Sequence, residues 1–240
     1  MMKTLIAEDN TAQRDHVERL IRERVPQALP LVAVADGAQA IAQARAQQPS
    51  LLILDIQLPG ANGIEIARAV WKERPDTRIL FWSQFKDEIY VRRLAQIVPA
   101  ETVYGYVLKS SPDEKFVQAV RAVLLDEQCW LDREIRGVQA RALQSPSALT
   151  EAEYEALIDI ALGLTDRGVA RRRYLSRRGA QNRLHSLYTK LCVEREEEPG
   201  SMFSPRNRAV FEGFRRGLIN ADVLADENAA LEHWIVEDPD

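Results

Sequence analysis

Five polar side chains follow short apolar runs in the first half of this 240-residue chain, and together they could carry out phosphoryl chemistry. In chain order they are Glu8, Asp9, Asp55, Ser83 and Lys109. Three carboxylates held together stay ionised only beside a cation, and hard oxygen ligands of this kind suit Mg²⁺. A carboxylate can attack phosphorus to form an aspartyl phosphate, which makes Asp55 the candidate nucleophile. Lys109 could then pair with the phosphoryl charge, and Ser83 could donate a hydrogen bond to it.

For this chemistry the five side chains must meet, and the pattern of apolar runs predicts how they do so. Five short strand patterns alternate with five amphipathic helix patterns over residues 3–125, which predicts a parallel sheet with helices on both faces. The run "LLIL" before Asp55 is typical of a strand buried on both faces. Because the carboxyl ends of parallel strands share one edge of the sheet, we expect the polar residues to meet there. The sequence therefore predicts an α/β domain with an acidic site at one rim.

The second half of the chain carries a helical pattern. We expect no strand after residue 125, and we interpret residues 126–148, which end in "QSPSA", as a linker. Thr150 and Ser176 each precede a helix pattern and are typical N-cap residues. Two short helices followed by a basic one indicate a helix-turn-helix unit, so we predict an all-α domain after the linker.

The helix that follows Ser176 has a polar face suited to nucleic acid. Opposite its apolar stripe it carries Arg177, Arg178, Gln181, Asn182, Arg183 and His185. Arginine binds phosphates and guanine, and Gln and Asn bind adenine edges in the major groove. Residues 167–193 contain eight Lys or Arg and no acid, in a chain of net charge −4. This block predicts a polyanionic partner, with a solvated or protein-binding helix face as the alternative.

Four segments resemble the receiver domain of bacterial two-component response regulators: "AEDN", "LLILDIQLPGANGIE", "ILFWS" and "GYVLKS". The resemblance covers residues 3 to about 125 and implies a flavodoxin-like, doubly wound fold of five strand–helix units. It implies that Asp55 accepts a phosphoryl group from a histidine kinase or a small phosphodonor. It also implies that Mg²⁺ is held by Glu8, Asp9, Asp55 and the backbone carbonyl of Gln57.

The same resemblance implies a switch on the last two strands of the receiver. Ser83 and Lys109 would contact the phosphoryl group, and Tyr106 would turn inward when Ser83 shifts, with plain core packing as its alternative role. Gln84 stands where this family usually has Ala, so we expect it to alter dephosphorylation or donor entry. The stretch "QIVPAETVYGY" is longer than usual and is expected to reshape the surface beside the fourth helix.

The stretch "GLTDRGVARRRYLSRRGAQNRLHSLYTKL" resembles the LuxR-type (NarL/FixJ) helix-turn-helix output domain. The resemblance implies that the helix capped by Ser176 reads promoter DNA, with Gln181, Asn182 and His185 toward the bases. Its arginines would serve phosphates or bases. Lys190 joins this DNA-binding set because the recognition helix of the family usually ends in Lys-Leu.

The expected organisation has four parts and a homodimer. The parts are a receiver over residues 1–125, a linker over 126–148, the helix-turn-helix domain over 149–220 and an acidic tail over 221–240. The last helix of the family's output domain often pairs two subunits. An insertion over residues 194–205 precedes that helix here, so we expect it to affect dimer geometry.

The acidic tail has two possible roles. Residues 221–240 contain seven acids and no Lys or Arg, and Leu231, Trp234 and Ile235 lie on one possible helical stripe. The tail is either loosely ordered or folded back on the basic helix as a restraint. If it is a restraint, its deletion should strengthen DNA binding by the unphosphorylated protein.

Composition favours a protein of the cytoplasm. No apolar run approaches the roughly 20 residues that a membrane helix needs, and the start "MMKTLIAEDN" does not resemble a signal peptide, so no membrane partner is expected. Cys129 and Cys192 match no metal-binding or disulfide pattern, so we expect free thiols.

We predict a phosphorylation-dependent, DNA-binding transcriptional regulator rather than an enzyme. A phosphatase that used Asp55 as its nucleophile would need an acid two residues later, where Gln57 stands. An output domain that acts through protein contacts remains an alternative. So does a receiver that works without phosphorylation, although the intact acidic site argues against it.

Overall fold

The computed structural model describes residues 3–144, 148–193 and 203–237, with residues 141–144 described by their backbone alone. The chain divides into two compact units, one formed by Met1–Lys86 with Tyr90–Gly137 and the other by Asp87–Ile89 with Val138–Asp240. Among the helices of the described ranges, none is long and apolar enough to cross a membrane.

The first unit is built on a six-stranded parallel sheet of order β2-β1-β3-β4-β5-β6. The strands are β1 Thr4–Ala7, β2 Leu31–Val34, β3 Leu51–Leu54, β4 Arg78–Ser83, β5 Tyr104–Leu108 and β6 Trp130–Leu131. The helices in this part of the chain are α1 Thr11–Arg24, α2 Gly37–Gln47, α3 Gly63–Glu73, α4 Glu88–Ile97, α5 Asp113–Leu124 and α6 Arg133–Gln144. This architecture confirms the predicted α/β fold with parallel strands and flanking helices.

Burial explains why these segments form a layered sheet. Every residue of β1 and β3 is buried, as expected for strands covered by helices on both faces. The apolar stripe of α1, formed by Val17, Leu20 and Ile21, is buried in the core that also contains Leu51 of β3. The sheet is therefore rigidly packed along β1 and β3, the two strands that precede the acidic residues.

The prediction that no strand follows residue 125 was wrong. Trp130–Leu131 form β6, which pairs in parallel with β5 so that Trp130 lies opposite Gly105 and Leu131 lies opposite Tyr106. A strand of two residues leaves no alternation in the sequence, so periodicity could not indicate it. Part of the predicted linker is therefore structured as β6 and α6, and residues 145–147 of it lie outside the described residues.

The second unit is helical. Its helices are α7 Glu151–Ala161, α8 Asp166–Arg172, α9 Arg177–Leu191, α10 Pro205–Arg215 and α11 Ala221–Glu237. Thr150 caps α7 in a reciprocal arrangement with Glu153, and Ser176 caps α9 by accepting a hydrogen bond from the Gly179 amide at 3.1 Å. Both N-cap predictions are confirmed. Most of the insertion predicted over 194–205 lies outside the described residues, which resume at Phe203.

The acidic tail is helical through Glu237, and residues 238–240 lie outside the described part. Val223 and Leu231 are buried, which anchors α11, while Trp234 is half-buried. Ile235, the third residue of the predicted stripe, is 52% exposed. The structure shows residues 221–237 as a helix, which disfavours the alternative of a loosely ordered tail for this range.

A buried carboxylate holds α7 and the end of α8 together. Asp159 on α7 is fully buried, and it accepts hydrogen bonds from Arg172 at 2.7 Å and from Arg173 at 2.8 and 2.9 Å. Glu155 adds an ion pair with Arg173 at 3.0 Å. The two arginines lie just before α9, so this cluster sets where the basic helix begins.

We predict that Asp159→Ala destabilises the helical unit by about 3–5 kcal/mol, because it removes the buried anion that two mostly buried guanidinium groups share. Urea unfolding of the full chain, followed by circular dichroism, measures the change. Glu151→Ala on the same helix is the matched control, and as an exposed first-turn acid it should cost less than about 1 kcal/mol. Equal costs for the two variants would contradict the role given to Asp159.

Candidate functional site

The predicted acidic residues meet at the carboxyl edge of the sheet. Strands β1 and β3 are neighbours in register, with Ala7 opposite Leu54, so Glu8 and Asp55 leave the sheet side by side. Carboxylate oxygens of Glu8, Asp9 and Asp55 all lie within 4.8 Å of one another. Glu8 and Asp55 are buried and Asp9 is exposed, so the cluster has one side open to a solution partner.

Lys109 is the cation that balances this cluster. Its Nζ lies 2.7 Å from Glu8 Oε2 and 2.6 Å from Asp55 Oδ2, and it donates a hydrogen bond to Gln13 Oε1 at 2.6 Å. The ammonium also lies 4.9 Å from the centre of the Trp82 ring, a cation–π contact. Only 11% of the Lys109 side chain is exposed, so its attraction for the two carboxylates is weakly screened.

The pKa of Glu8 shows how costly this arrangement is. Burial raises the pKa of the Glu8 carboxyl above its ordinary value, and the neighbouring Asp55 charge acts in the same direction. Lys109, whose ammonium lies 2.7 Å from Glu8 Oε2, opposes the rise. Additional positive charge at the open side would further favour the ionised form of Glu8.

The donor set fits a magnesium ion. It consists of hard carboxylate oxygens, and Glu8 Oε2 is a buried oxygen that accepts no aligned hydrogen bond although the Lys109 ammonium is close. Asp55 Oδ1 accepts a hydrogen bond from the Ile56 amide at 2.6 Å, which fixes the carboxylate and leaves Oδ2 toward Lys109. Gln57, two residues further on, is exposed. Glu8, Asp9 and Asp55 would hold the ion, and the carbonyl of Gln57 remains a predicted fourth ligand.

The predicted switch residues converge on Phe85. Ser83 is fully buried at the end of β4, and the Phe85 amide lies 3.5 Å from its Oγ. Tyr106 is 1% exposed, stacks on Phe81 and donates a hydrogen bond from its hydroxyl to the Phe85 carbonyl at 2.6 Å. The Tyr106 ring therefore lies inward in this structure. Gln84, which lies between Ser83 and Phe85 in the chain, is exposed.

Sequence reasoning missed two polar residues of α1 that support the site. Gln13 binds Lys109, as described above, and Arg14 donates hydrogen bonds to the carbonyls of Glu8 at 2.8 Å and Asp9 at 3.2 Å. The signal available in the sequence was their place in the first turn of the helix that follows the acid pair. These contacts hold the acidic loop against α1.

The polar face of α9 is largely open to solvent. Arg177, Arg178, Gln181, Asn182 and His185 are exposed, and Arg183 is half-buried. The apolar stripe opposite this face consists of Leu184, Leu187, Tyr188 and Leu191 and is buried. The side chains available to a macromolecular partner are therefore the predicted ones, with one exception.

Lys190 is the exception, because its ammonium is used inside the helical unit. It lies 2.7 Å from Glu153 Oε2 and donates a hydrogen bond to the Ala148 carbonyl at 3.0 Å. Burial acts to raise the pKa of Glu153, but hydrogen bonds from Lys190, Ser186 and Thr150 outweigh it and lower the pKa to about 2. The predicted contact of Lys190 with DNA is therefore not favoured, and the residue fastens α9 to α7.

The acidic helix α11 meets the arginines that precede α9. Arg171 lies over the Trp234 ring at 5.2 Å, and Arg172 pairs with Glu227 at 3.4 Å. These contacts are made by the last turn of α8, not by the exposed face of α9. The predicted restraint of the basic helix by the tail stays a prediction, and these are the contacts through which it would act.

The two cysteines match their prediction, since Cys129 and Cys192 are free and exposed.

Comparison with known proteins matches the first half of the chain to a described domain family. A family model described as "Response regulator receiver domain" matches residues 4–121. The "DNA-binding transcriptional activator DevR/DosR" of Mycobacterium tuberculosis is 31% identical over 169 residues, which cover 67% of this chain and 75% of the relative.

Two solved structures extend the comparison. A two-component response regulator of the LuxR family from Aurantimonas sp. SI85-9A1 is 26% identical with a TM-score of 0.50, over 58% of this chain and 95% of that one. A structure described as the response regulator RcsB–DNA complex has a TM-score of 0.57 at 15% identity, over 95% of this chain and 98% of that one. The second likeness concerns the fold alone.

We predict that the helical unit loses stability at acid pH through Glu153. Because its folded pKa of about 2 lies below the ordinary value of 4.5, the contribution is complete above pH 4.5 and is lost as the pH falls toward 2. Glu153→Gln should cost on the order of 2–3 kcal/mol at pH 7, and this difference from wild type should shrink below about pH 4.5. Denaturant unfolding at several pH values measures it. Glu151→Gln serves as the control, and a Glu153→Gln deficit that is independent of pH would contradict the assignment.

Proposed function

Because the chain belongs to the two-component response regulators with a LuxR-type output domain, we propose that it is a transcriptional regulator switched by phosphorylation of Asp55. The observation that carries the proposal is the Asp55 carboxylate itself. It is buried beside Glu8, fixed on one oxygen by the Ile56 amide, and paired on the other with Lys109. A carboxylate held in this way has one oriented oxygen at an edge where a phosphodonor can approach.

The proposed reaction transfers a phosphoryl group without net oxidation. An oxygen of Asp55 attacks the phosphorus of a phosphohistidine on a partner kinase, or of a small acyl phosphate. The new O–P bond forms as the P–N or P–O bond breaks, and the electron pair leaves with the histidine nitrogen or the acyl oxygen. Bound Mg²⁺ would neutralise charge on the phosphoryl oxygens. Lys109, already 2.6 Å from Asp55, is placed to stay paired with the product anion.

The proposed switch follows from the change in charge. A phosphoryl group on Asp55 offers acceptor oxygens to the Ser83 hydroxyl, which is buried at the neighbouring strand end. A shift of Ser83 would move Phe85, whose carbonyl accepts the hydrogen bond from the Tyr106 hydroxyl. Gln84 lies exposed in this loop, where its amide can obstruct the entry of a donor or of the hydrolytic water.

We predict that acetyl phosphate with Mg²⁺ adds one phosphoryl group to the wild-type chain and none to Asp55→Asn, which lacks the nucleophilic oxygen. Intact-protein mass spectrometry measures the addition, and size-exclusion chromatography of the same samples measures any change in oligomeric state.

Asp76→Asn, an exposed carboxylate elsewhere in the receiver, is the matched control and should be labelled like wild type. Equal labelling of the Asp55→Asn variant would remove the basis of the proposal.

For the output step we propose that α9 enters the major groove of promoter DNA. Gln181, Asn182 and His185 are exposed on α9 and suited to base edges, while Arg177 and Arg178, also exposed, lie in its first turn and suit phosphates. Arg183 is half-buried and would assist either role. We assign Lys190 a structural role, because its ammonium pairs with Glu153. A homodimer would place two such helices on half-sites about one helical turn apart, or a multiple of that.

We predict that Arg178→Ala weakens binding to all DNA sequences alike and lowers the slope of log affinity against log salt by about one unit, because it removes one phosphate contact. Gln181→Ala should instead cost about 1–3 kcal/mol on the preferred site and relax the sequence preference. Fluorescence anisotropy across salt concentrations, with a genomic fragment and a scrambled duplex, measures both effects.

Arg68→Ala, an exposed arginine on α3 of the receiver, should leave both quantities unchanged. A loss of affinity for Arg68→Ala as large as that for Arg178→Ala would show that general charge, not the face of α9, governs binding.

The proposal keeps the division into a receiver over residues 1–125, a helix-turn-helix domain over 149–220 and an acidic C-terminal segment. Between the first two, β6 and α6 take the place of part of a simple linker. The proposed partners are a histidine kinase, promoter DNA and a second copy of the chain.

A further inference from the structure

Asp132 is a buried carboxylate that the proposed reaction does not use. It follows β6 directly and is 5% exposed. Its Oδ2 accepts two hydrogen bonds, one from the Leu108 amide at 2.9 Å and one from the Ser111 hydroxyl at 2.7 Å. A single oxygen therefore binds both ends of the tight loop that contains Lys109.

The loop is also fixed by its own backbone. The Ser111 amide donates to the Leu108 carbonyl at 2.9 Å, and the Lys109 amide donates to the Ser83 carbonyl at 2.9 Å. These bonds close the turn and join it to β4. The bonds from Asp132 approach from the other side, since β6 lies beyond β5 in the sheet. Without Asp132, the buried Leu108 amide would lose its acceptor, which is costly away from water.

The same residue is joined to the first turn of α6. The Asp132 amide donates to the Tyr106 carbonyl at 3.0 Å, and its carbonyl accepts from the Arg136 amide at 2.9 Å. Glu134, also in that turn, pairs with Lys86 at 3.0 Å. Both side chains of that pair are more than half exposed, so it adds little energy, and Asp132 is the buried connection.

We propose that Asp132 is a positioning residue for Lys109, and that through it the first turn of α6 responds to the phosphorylation state of Asp55. Lys109 bridges Glu8 and Asp55 only while the 108–111 loop holds its backbone in place. A new anion on Asp55 redirects the ammonium, the loop adjusts, and Asp132 carries the adjustment to α6. This inference rests on the proposed phosphorylation of Asp55.

A double-mutant comparison in the full chain tests the positioning role. Asp132→Ala should slow labelling by acetyl phosphate with Mg²⁺ about five- to tenfold in the wild-type background and not at all in a Lys109→Ala background, because the two residues act through one another. Asp132→Asn keeps an acceptor oxygen and should retain most of the rate. A variant that is merely destabilised would lose rate in both backgrounds, and that result overturns the role.

Amide hydrogen exchange tests the connection without relying on the labelling rate. Asp132→Ala should speed exchange at Leu108 in the unphosphorylated chain, and it should abolish the change in exchange that phosphorylation causes at Arg136 in wild type. Asp126→Ala, an exposed acid six positions earlier, is the matched control and should change neither.

Different measurements would contradict the two proposals. Labelling of the wild-type chain tests the phosphorylation of Asp55. Unchanged exchange at Leu108 in Asp132→Ala overturns the positioning role even if that labelling succeeds.

Discussion

The receiver depends on one ion pair network, in which the ammonium of Lys109 neutralises Glu8 and Asp55 together. Two buried carboxylates side by side repel each other and lose hydration, so the folded state tolerates them only with a cation between them. The parallel register of β1 and β3 brings the acids together, and the adjacent β4 and β5 bring the lysine to the same edge. The fold therefore stores an unfavourable charge arrangement that a single ammonium balances. A site of this kind responds strongly to any added anion or cation.

In the helical unit the charges are reversed: buried acids neutralise basic side chains, whereas in the receiver a lysine neutralises buried acids. Some of its basic residues are exposed on α9, while others lie close to the core of the unit. Asp159 holds two of them beside α7, and Glu153 holds Lys190. Arg177, Arg178, Gln181 and Asn182 of α9 take no part in these contacts, and they are exposed. Buried acids thus sort the basic residues into structural ones and ones that can meet a polyanion.

Much of this arrangement could be predicted from sequence because the signals are local. Four-residue apolar runs, a helix stripe such as Leu184, Leu187 and Leu191, and N-caps at Thr150 and Ser176 each depend on neighbours in the chain. Lys190 could not be assigned in this way, since its partner Glu153 is 37 positions away and only the packing of two helices brings them together. The same holds for Gln13 beside Lys109. β6 was missed because a strand of two residues shows no alternation of apolar and polar positions. It forms only because the edge of β5 is available for pairing.

β6 changes what the outer edge of the sheet offers to another chain. An unpaired edge strand exposes a row of backbone N–H and C=O groups that a foreign strand can join. Next to Gly105 and Tyr106 the neighbouring position is already taken by Trp130 and Leu131. β6 in its turn is two residues long, which is too short a template for further strand addition. Two copies of this protein that meet at this side must therefore recognise each other through side chains, and a continuous intermolecular sheet is not available to them there.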